Sequence, residues 1–189
     1  MRRLLVALLL IVQVTGPGAA AAQQGDGWLD APLAVWNQSG GEVPAAPTAS
    51  GAPNPLCERT PRPPETPADL EVAAAGWKLV GSFEGGWGIL AVTGTADFDG
   101  MCRPVDYQVF VFYNGQFAGT IAPEPMTSRT SGAGTLSRIS SGQLFASFVR
   151  YAETDPLCCP SRPSVLVEYR IDQPDGSPVL VPSRVFSGT

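Results

Sequence analysis

From residue 77 to the end of the chain, short apolar runs alternate with turn residues at strand spacing. The runs 77–82, 88–96, 107–113, 116–121, 135–140, 143–151, 165–171 and 179–185 each predict a β-strand. The sharpest local signal is Asn114-Gly115 between two β-rich runs, because a type I′ hairpin turn takes positive φ at both central positions. A two-residue loop would pair Tyr113 with Gln116, Phe112 with Phe117, Val111 with Ala118 and Phe110 with Gly119. Phe110, Phe112 and Phe117 then share one face, and Val109, Val111 and Ala118 the other. Both faces of 107–113 are apolar, so this strand is expected to be covered on both sides. Phe110 would lie over Gly119, an aromatic ring sheltering a glycine. In 165–171, Val165, Val167, Tyr169 and Ile171 alternate with Leu166, Glu168 and Arg170, the pattern of a half-exposed strand. Pro182 makes the last run an edge strand, since proline lacks the ladder donor.

One helix is expected, over 68–75. Thr66 is its N-cap, Pro67 its first residue, Asp69 its first-turn acid and Gly76 its stop. Residues 23–65 read as an extended, Pro-rich arm, because proline disfavours helix at and before its own position. Trp28, Leu29, Leu33, Val35 and Trp36 are too apolar for a solvated linker, so the arm is expected to dock on the domain. Residues 1–22 carry Arg2 and Arg3, an apolar run from Leu4 to Val14 and a small-residue Ala19-Ala20-Ala21-Ala22 stretch, the three regions of a secretory signal peptide. The apolar run is about half of the ~20 residues a membrane-spanning helix needs. Cleavage is expected after Ala22, and no transmembrane segment is expected in the mature chain.

The chain is acidic, with a formal charge of −5 and Lys78 as its only lysine. Phosphate contacts need a basic stripe, so nucleic acid is not an expected partner. There is no histidine, which removes the commonest general base and metal ligand and excludes any Ser-His-Asp or Cys-His nucleophile within the chain. No metal and no cofactor is expected. Four cysteines in an exported chain, Cys57, Cys102, Cys158 and Cys159, predict two disulfides. Counting antiparallel strands puts Cys102 and the Cys158-Cys159 pair at one end of the sheet. Cys102 is therefore expected to bond one of the adjacent pair and Cys57 the other. A Cys158–Cys159 bond, which closes an eight-membered ring, is the alternative.

Four constellations have a chemical and a plain reading. Arg103, Arg129, Arg150 and Arg162 flank the loops at that end and could hold a carboxylate or phosphate with Ser128, Ser131 and Ser161. Alternatively each pairs with Asp99, Asp106, Glu153 or Asp155. Asp97-Phe98-Asp99-Gly100 is a fragment of a calcium loop or an Asx turn. Trp77, Phe83 and Trp87 form either a glycan-stacking face or core. Asn37-Gln38-Ser39 spells a glycosylation sequon, without expected consequence.

Asp99-Gly100-Met101-Cys102-Arg103-Pro104, Tyr107 to Phe112, Phe117 to Thr120, Arg150-Tyr151 and Asp155-Pro156-Leu157-Cys158-Cys159-Pro160-Ser161-Arg162 resemble the LppP/LprE family of bacterial envelope lipoproteins. The resemblance runs from about Thr66 to the C-terminus and implies an envelope location, but little chemistry. The chain departs from the lipoprotein pattern in having no cysteine directly behind the signal, which favours a soluble extracytoplasmic form in periplasm, wall or medium. The resulting expectation is an α+β domain over 66–189, mainly antiparallel sheet with one short helix and a disulfide-tethered N-terminal arm. Its leading function is non-enzymatic, binding an envelope ligand or protein partner at the cysteine-bearing loop end. The competing functions are a glycan-acting enzyme using Asp97 with Glu84 or Asp106, a thiol oxidoreductase using Cys158 and Cys159, and a purely structural envelope component.

Overall fold

The computed structural model describes residues 27–49 and 54–187, the side chains of residues 82–84 excepted. The expected signal peptide lies outside the described residues. Eight strands follow one another: β1 (Lys78–Gly86), β2 (Ile89–Phe98), β3 (Pro104–Tyr113), β4 (Gln116–Thr120), β5 (Gly134–Ser140), β6 (Gln143–Arg150), β7 (Arg162–Asp172) and β8 (Val179–Ser187). All pair antiparallel with their sequence neighbours, but in two sheets, β1-β2-β3-β4 and β5-β6-β7-β8. The chain crosses between sheets through residues 121–133, where a single sheet would have needed β5 beside β4. A core of Val109, Val111, Ile121, Phe148, Val167 and Tyr169, among others, fills the space between the sheets.

The other face of the first sheet carries helix α2 (Pro67–Ala74) and part of the arm. Phe110 and Phe112 are fully buried there with Val72, Trp77 and Val92. β3 is thus covered on both faces, as its apolar pattern predicts. The hairpin starts in the expected register, Tyr113 to Gln116 and Phe112 to Phe117, and then slips by one residue. Val111 faces Gly119 and Phe110 faces Thr120, not Ala118 and Gly119. A bulge at Ala118 is the cause; the extra residue reverses the alternation beyond it, so Gly119 lies opposite Val111 and Ile121 joins Val109, Val111 and Ala118 in the core between the sheets. The glycine that Phe110 and Trp77 crowd is Gly94, where a Cβ would come within 2.8 Å of Trp77 Cβ and 3.2 Å of the Phe110 ring.

Helix α2 begins as its sequence demands. Thr66 Oγ1 accepts the Asp69 N–H, and Asp69 Oδ2 accepts the Thr66 N–H, a closed capping box behind Pro67. Asp69 is fully buried and also takes a two-pronged contact from Arg62, at 2.6 and 3.0 Å. Burial pushes its carboxyl upward, but Arg62 and the N–H groups of Glu65 and Thr66 outweigh this and hold it down at about 2.

The arm docks, as its tryptophans predict. It opens with one turn of helix the sequence did not announce, α1 (Gly27–Asp30). Trp28 meets Phe148 and Trp36 edge-on with ring centroids 5.0 and 5.1 Å apart. Asn37 then bridges the sheets: its amide nitrogen donates to the carbonyls of Thr120 in β4 (3.1 Å) and Leu180 in β8 (2.9 Å), and its Oδ1 accepts the Thr120 N–H (2.8 Å). A Cβ on Gly119, held at φ +141°, would collide with this amide. Farther along, the Ala46 N–H donates to Ala75 O and Trp77 Nε1 donates to Pro44 O, tying the arm to the end of α2.

Candidate functional site

The antiparallel order brings three connections together at one end: 99–103, 121–133 and 151–161. They touch directly. The Ser128 N–H donates to Pro104 O, Arg129 Nη1 donates to Leu157 O, and the Tyr151 N–H donates to Ser131 Oγ. This is the end where counting strands places the cysteine-bearing loops.

The disulfides are Cys57–Cys102 and Cys158–Cys159, so the expected Cys102 bond to one of the adjacent cysteines does not form. The reason is local. Asp99 caps the 99–103 turn by accepting the N–H groups of Met101 and Arg103 at 2.8 and 3.0 Å, and Cys57 Sγ packs 3.7 Å from the Asp99 carbonyl oxygen. Cys102, at φ +59°, is thereby turned toward the arm. Cys57 is buried at 3 % exposure, whereas Cys158 and Cys159 are exposed, left with each other at the tip of the β6–β7 loop. Asp155 closes the base of that loop by accepting the N–H groups of Ala152 and Ser161, both at 2.7 Å.

The four arginines are spread around this end. Arg103 is paired with Asp99, the local partner the sequence offers, and Asp97-Phe98-Asp99-Gly100 is the Asx turn rather than a calcium loop. The N–H groups of Arg103 and Met101, with the Arg103 side chain, hold the Asp99 carboxyl below the usual carboxylate range. Arg150 is buried, and its partner is Asp30 of the arm, at 2.5 and 3.1 Å, rather than Glu153 or Asp155. Arg162 is the cross-strand neighbour of Arg150, and Arg129 reaches the Leu157 carbonyl. Trp77 is core, Trp87 is 69 % exposed at the far β1–β2 turn, and the Phe83 side chain lies outside the described residues.

Between the start of the arm and the 121–133 connection lies a cleft of about 880 Å³. That volume is in the range of small-ligand sites, roughly 300–1,000 Å³. Its walls include Trp28, Pro123, Pro125 and Met126, with the carboxylates of Asp106 and Glu124. Thr127, Thr130 and Ser131 add hydroxyls. None of the four arginines lines it. The wall is pinned from beneath. Buried Gln108 donates to the carbonyls of Ala122 (3.0 Å) and Glu124 (3.2 Å), and Tyr107 exchanges two 2.7 Å backbone bonds with Met126. The Tyr107 hydroxyl donates to Gly134 O, and burial pushes its pKa up to about 12, so it stays neutral. Asp106 and Arg129 both hold left-handed backbone, at φ +51° and +66°, beside this cleft. Non-glycine residues keep such conformations only where their surroundings enforce them.

Sequence reasoning singled out the right end of the molecule and, of the cleft's residues, Trp28, Asp106 and Ser131. It missed Glu124, Met126 and the role of Gln108. The one available signal was Gln108 itself, a polar residue inside the most apolar strand.

Residues 87–174 match the model of the LppP/LprE lipoprotein family. The match spans β2 to β7, and with them the Cys158–Cys159 loop and the cleft-forming connection. That family is one of bacterial envelope lipoproteins, which points to an extracytoplasmic location. No curated protein and no solved structure matches the chain. Among the described residues, no helix is long and apolar enough to cross a membrane.

Proposed function

We propose that this LppP/LprE-type chain is a non-enzymatic envelope protein that binds its ligand in the cleft between the arm and the 121–133 connection. The observation that carries this reading is a ligand-sized cleft whose wall is pre-set by Gln108 and the Tyr107–Met126 bridge. A pre-formed wall avoids the ordering cost that weakens binding by loose loops.

The lining supports one ligand class over another. It holds two carboxylates, several hydroxyls, an aromatic ring and prolines, but no lysine or arginine. It therefore favours a neutral or cationic, partly apolar ligand, such as a glycan segment that stacks on Trp28, over the anion the arginines suggest in the sequence. Calorimetric titration of the mature protein with chitotetraose and its N-acetylated form tests this. Binding that weakens at least tenfold in Trp28→Ala supports the cleft, and binding that Trp28→Ala leaves unchanged rejects it.

The second reading is a glycan-acting enzyme, favoured by the presence of Asp106 and Glu124 in one cleft. Asp97 is instead engaged by Lys78 at 3.5 Å. Turnover of envelope glycan that disappears in both Asp106→Asn and Glu124→Gln would establish the enzyme and displace the binding module.

A further inference from the structure

The Cys158–Cys159 bond differs from the other disulfide in what it joins. It links residues already adjacent in the chain, so it closes no loop of consequence and restricts the unfolded chain very little. Both cysteines are exposed, in a loop that packs no core side chain at its tip. Exposed disulfides are the ones accessible to exchange, while a bridge with one cysteine buried and the other half-buried, as Cys57–Cys102, is shielded from it. A bond that adds little to stability and sits open to solvent suits chemistry better than bracing.

The loop that carries the bond also holds the cleft. Leu157, the residue before it, offers its carbonyl to Arg129 Nη1 (3.4 Å) and to the Tyr151 hydroxyl (3.0 Å). The Tyr151 N–H donates to Ser131 Oγ, and the Gly132 N–H donates to Val149 O. Arg129 and Tyr151 thus connect the disulfide loop to the segment that contributes Thr127, Thr130 and Ser131 to the cleft wall.

We propose that Cys158–Cys159 is a thiol–disulfide exchange site for an extracytoplasmic dithiol, and that opening it loosens the 127–132 wall of the cleft. The second half rests on the cleft being the binding site; the exchange chemistry does not. In the first step one thiolate of the dithiol attacks one sulfur of the pair, the Cys158–Cys159 bond breaks, and the other cysteine leaves as a thiolate. The second thiol of the donor then attacks the mixed disulfide, freeing the remaining cysteine. The donor ends as a disulfide, having given two electrons, and its two protons end on Cys158 and Cys159.

The test equilibrates the full secreted chain in buffers of graded reduced-to-oxidised dithiothreitol, traps free thiols, and maps the peptides. Hydrogen exchange of the 121–134 and 151–161 segments is read at the same points. The expected result is alkylation of Cys158 and Cys159 at ratios at least tenfold less reducing than those that open Cys57–Cys102, with several-fold faster exchange in 127–132 and none in β2 and β3. The double variant Cys158→Ser/Cys159→Ser should show the faster exchange without reductant. If both disulfides open together, the exchange site is overturned. If Cys158–Cys159 opens alone but 127–132 exchanges as before in both reduced protein and variant, the coupling is overturned. Neither readout uses a ligand, so failure of chitotetraose to bind rejects the cleft reading separately.

Discussion

Cys57 is buried and reaches across 45 residues of chain to Cys102; Cys158 and Cys159 are exposed and reach only each other. On the loop-entropy model, whose mechanism is disputed, the first bridge stabilises the fold by about 4 kcal/mol and the second by about 1 kcal/mol at most. The first joins the arm to a turn already braced by Asp99, with Cys57 buried and Cys102 half-buried. The second stands at the tip of a loop whose contacts run to a neighbouring loop rather than to the core. Two bonds of the same chemistry at the same end of a molecule therefore serve different ends, because stabilisation depends on loop length and reactivity on access.

The largest expected effect is that of Cys57→Ala/Cys102→Ala, a loss of about 4 kcal/mol. Calorimetry should show the melting temperature falling by about 8–16 °C, at roughly 2–4 °C per kcal/mol for a chain of this size. A fall no greater than that of the vicinal double variant would break the comparison.

Next comes Asp69→Asn, expected to cost about 3 kcal/mol by chemical denaturation, since it removes the buried carboxylate that the Arg62 guanidinium grips with two hydrogen bonds. The wild type should show the same dependence on pH. The Asp69 carboxyl is lowered in the folded state, so its contribution, about 2 kcal/mol, is complete above the ordinary carboxylate pKa near 3.8 and is lost as pH falls toward about 2. Asp69→Asn should flatten that part of the acid-stability curve.

Asn37→Ala sharpens the comparison from the non-covalent side. It removes the only polar link the arm makes to β4 and β8 at once among the described residues, leaving the Thr120 N–H and Leu180 carbonyl without it. A loss of about 2 kcal/mol by urea denaturation is expected, with the Cys57 tether still in place. The smallest effect is that of Cys158→Ser/Cys159→Ser, a stability change within about 1 kcal/mol by the same measurement.

Most of the fold was legible from local pattern. Strand positions, the Asn114-Gly115 turn, the two covered faces of β3, the Thr66 cap and the docking of the arm all follow from side-chain period, turn chemistry and capping, which act within a few residues. The cleft was legible only in part. Its end of the molecule followed from strand counting, while Glu124 and Met126 carry no local mark that they face Trp28 across a gap.

What tertiary structure alone decided has a common physical character: a contact between residues far apart in the chain, chosen among near-equivalent candidates. The split into two sheets depends on which edge β5 meets after a long connection. The one-residue slip at Ala118 exchanges the faces of Gly119, Thr120 and Ile121 and brings Ile121 into the core between the sheets, a choice made by packing rather than by local pattern. Asn37 has the same spelling as a sequon whether or not two sheet edges lie within its reach. The cysteine count predicted two disulfides, but their partners were settled by the Asp99 turn, which presents Cys102 to the arm and leaves Cys158 and Cys159 to bond each other.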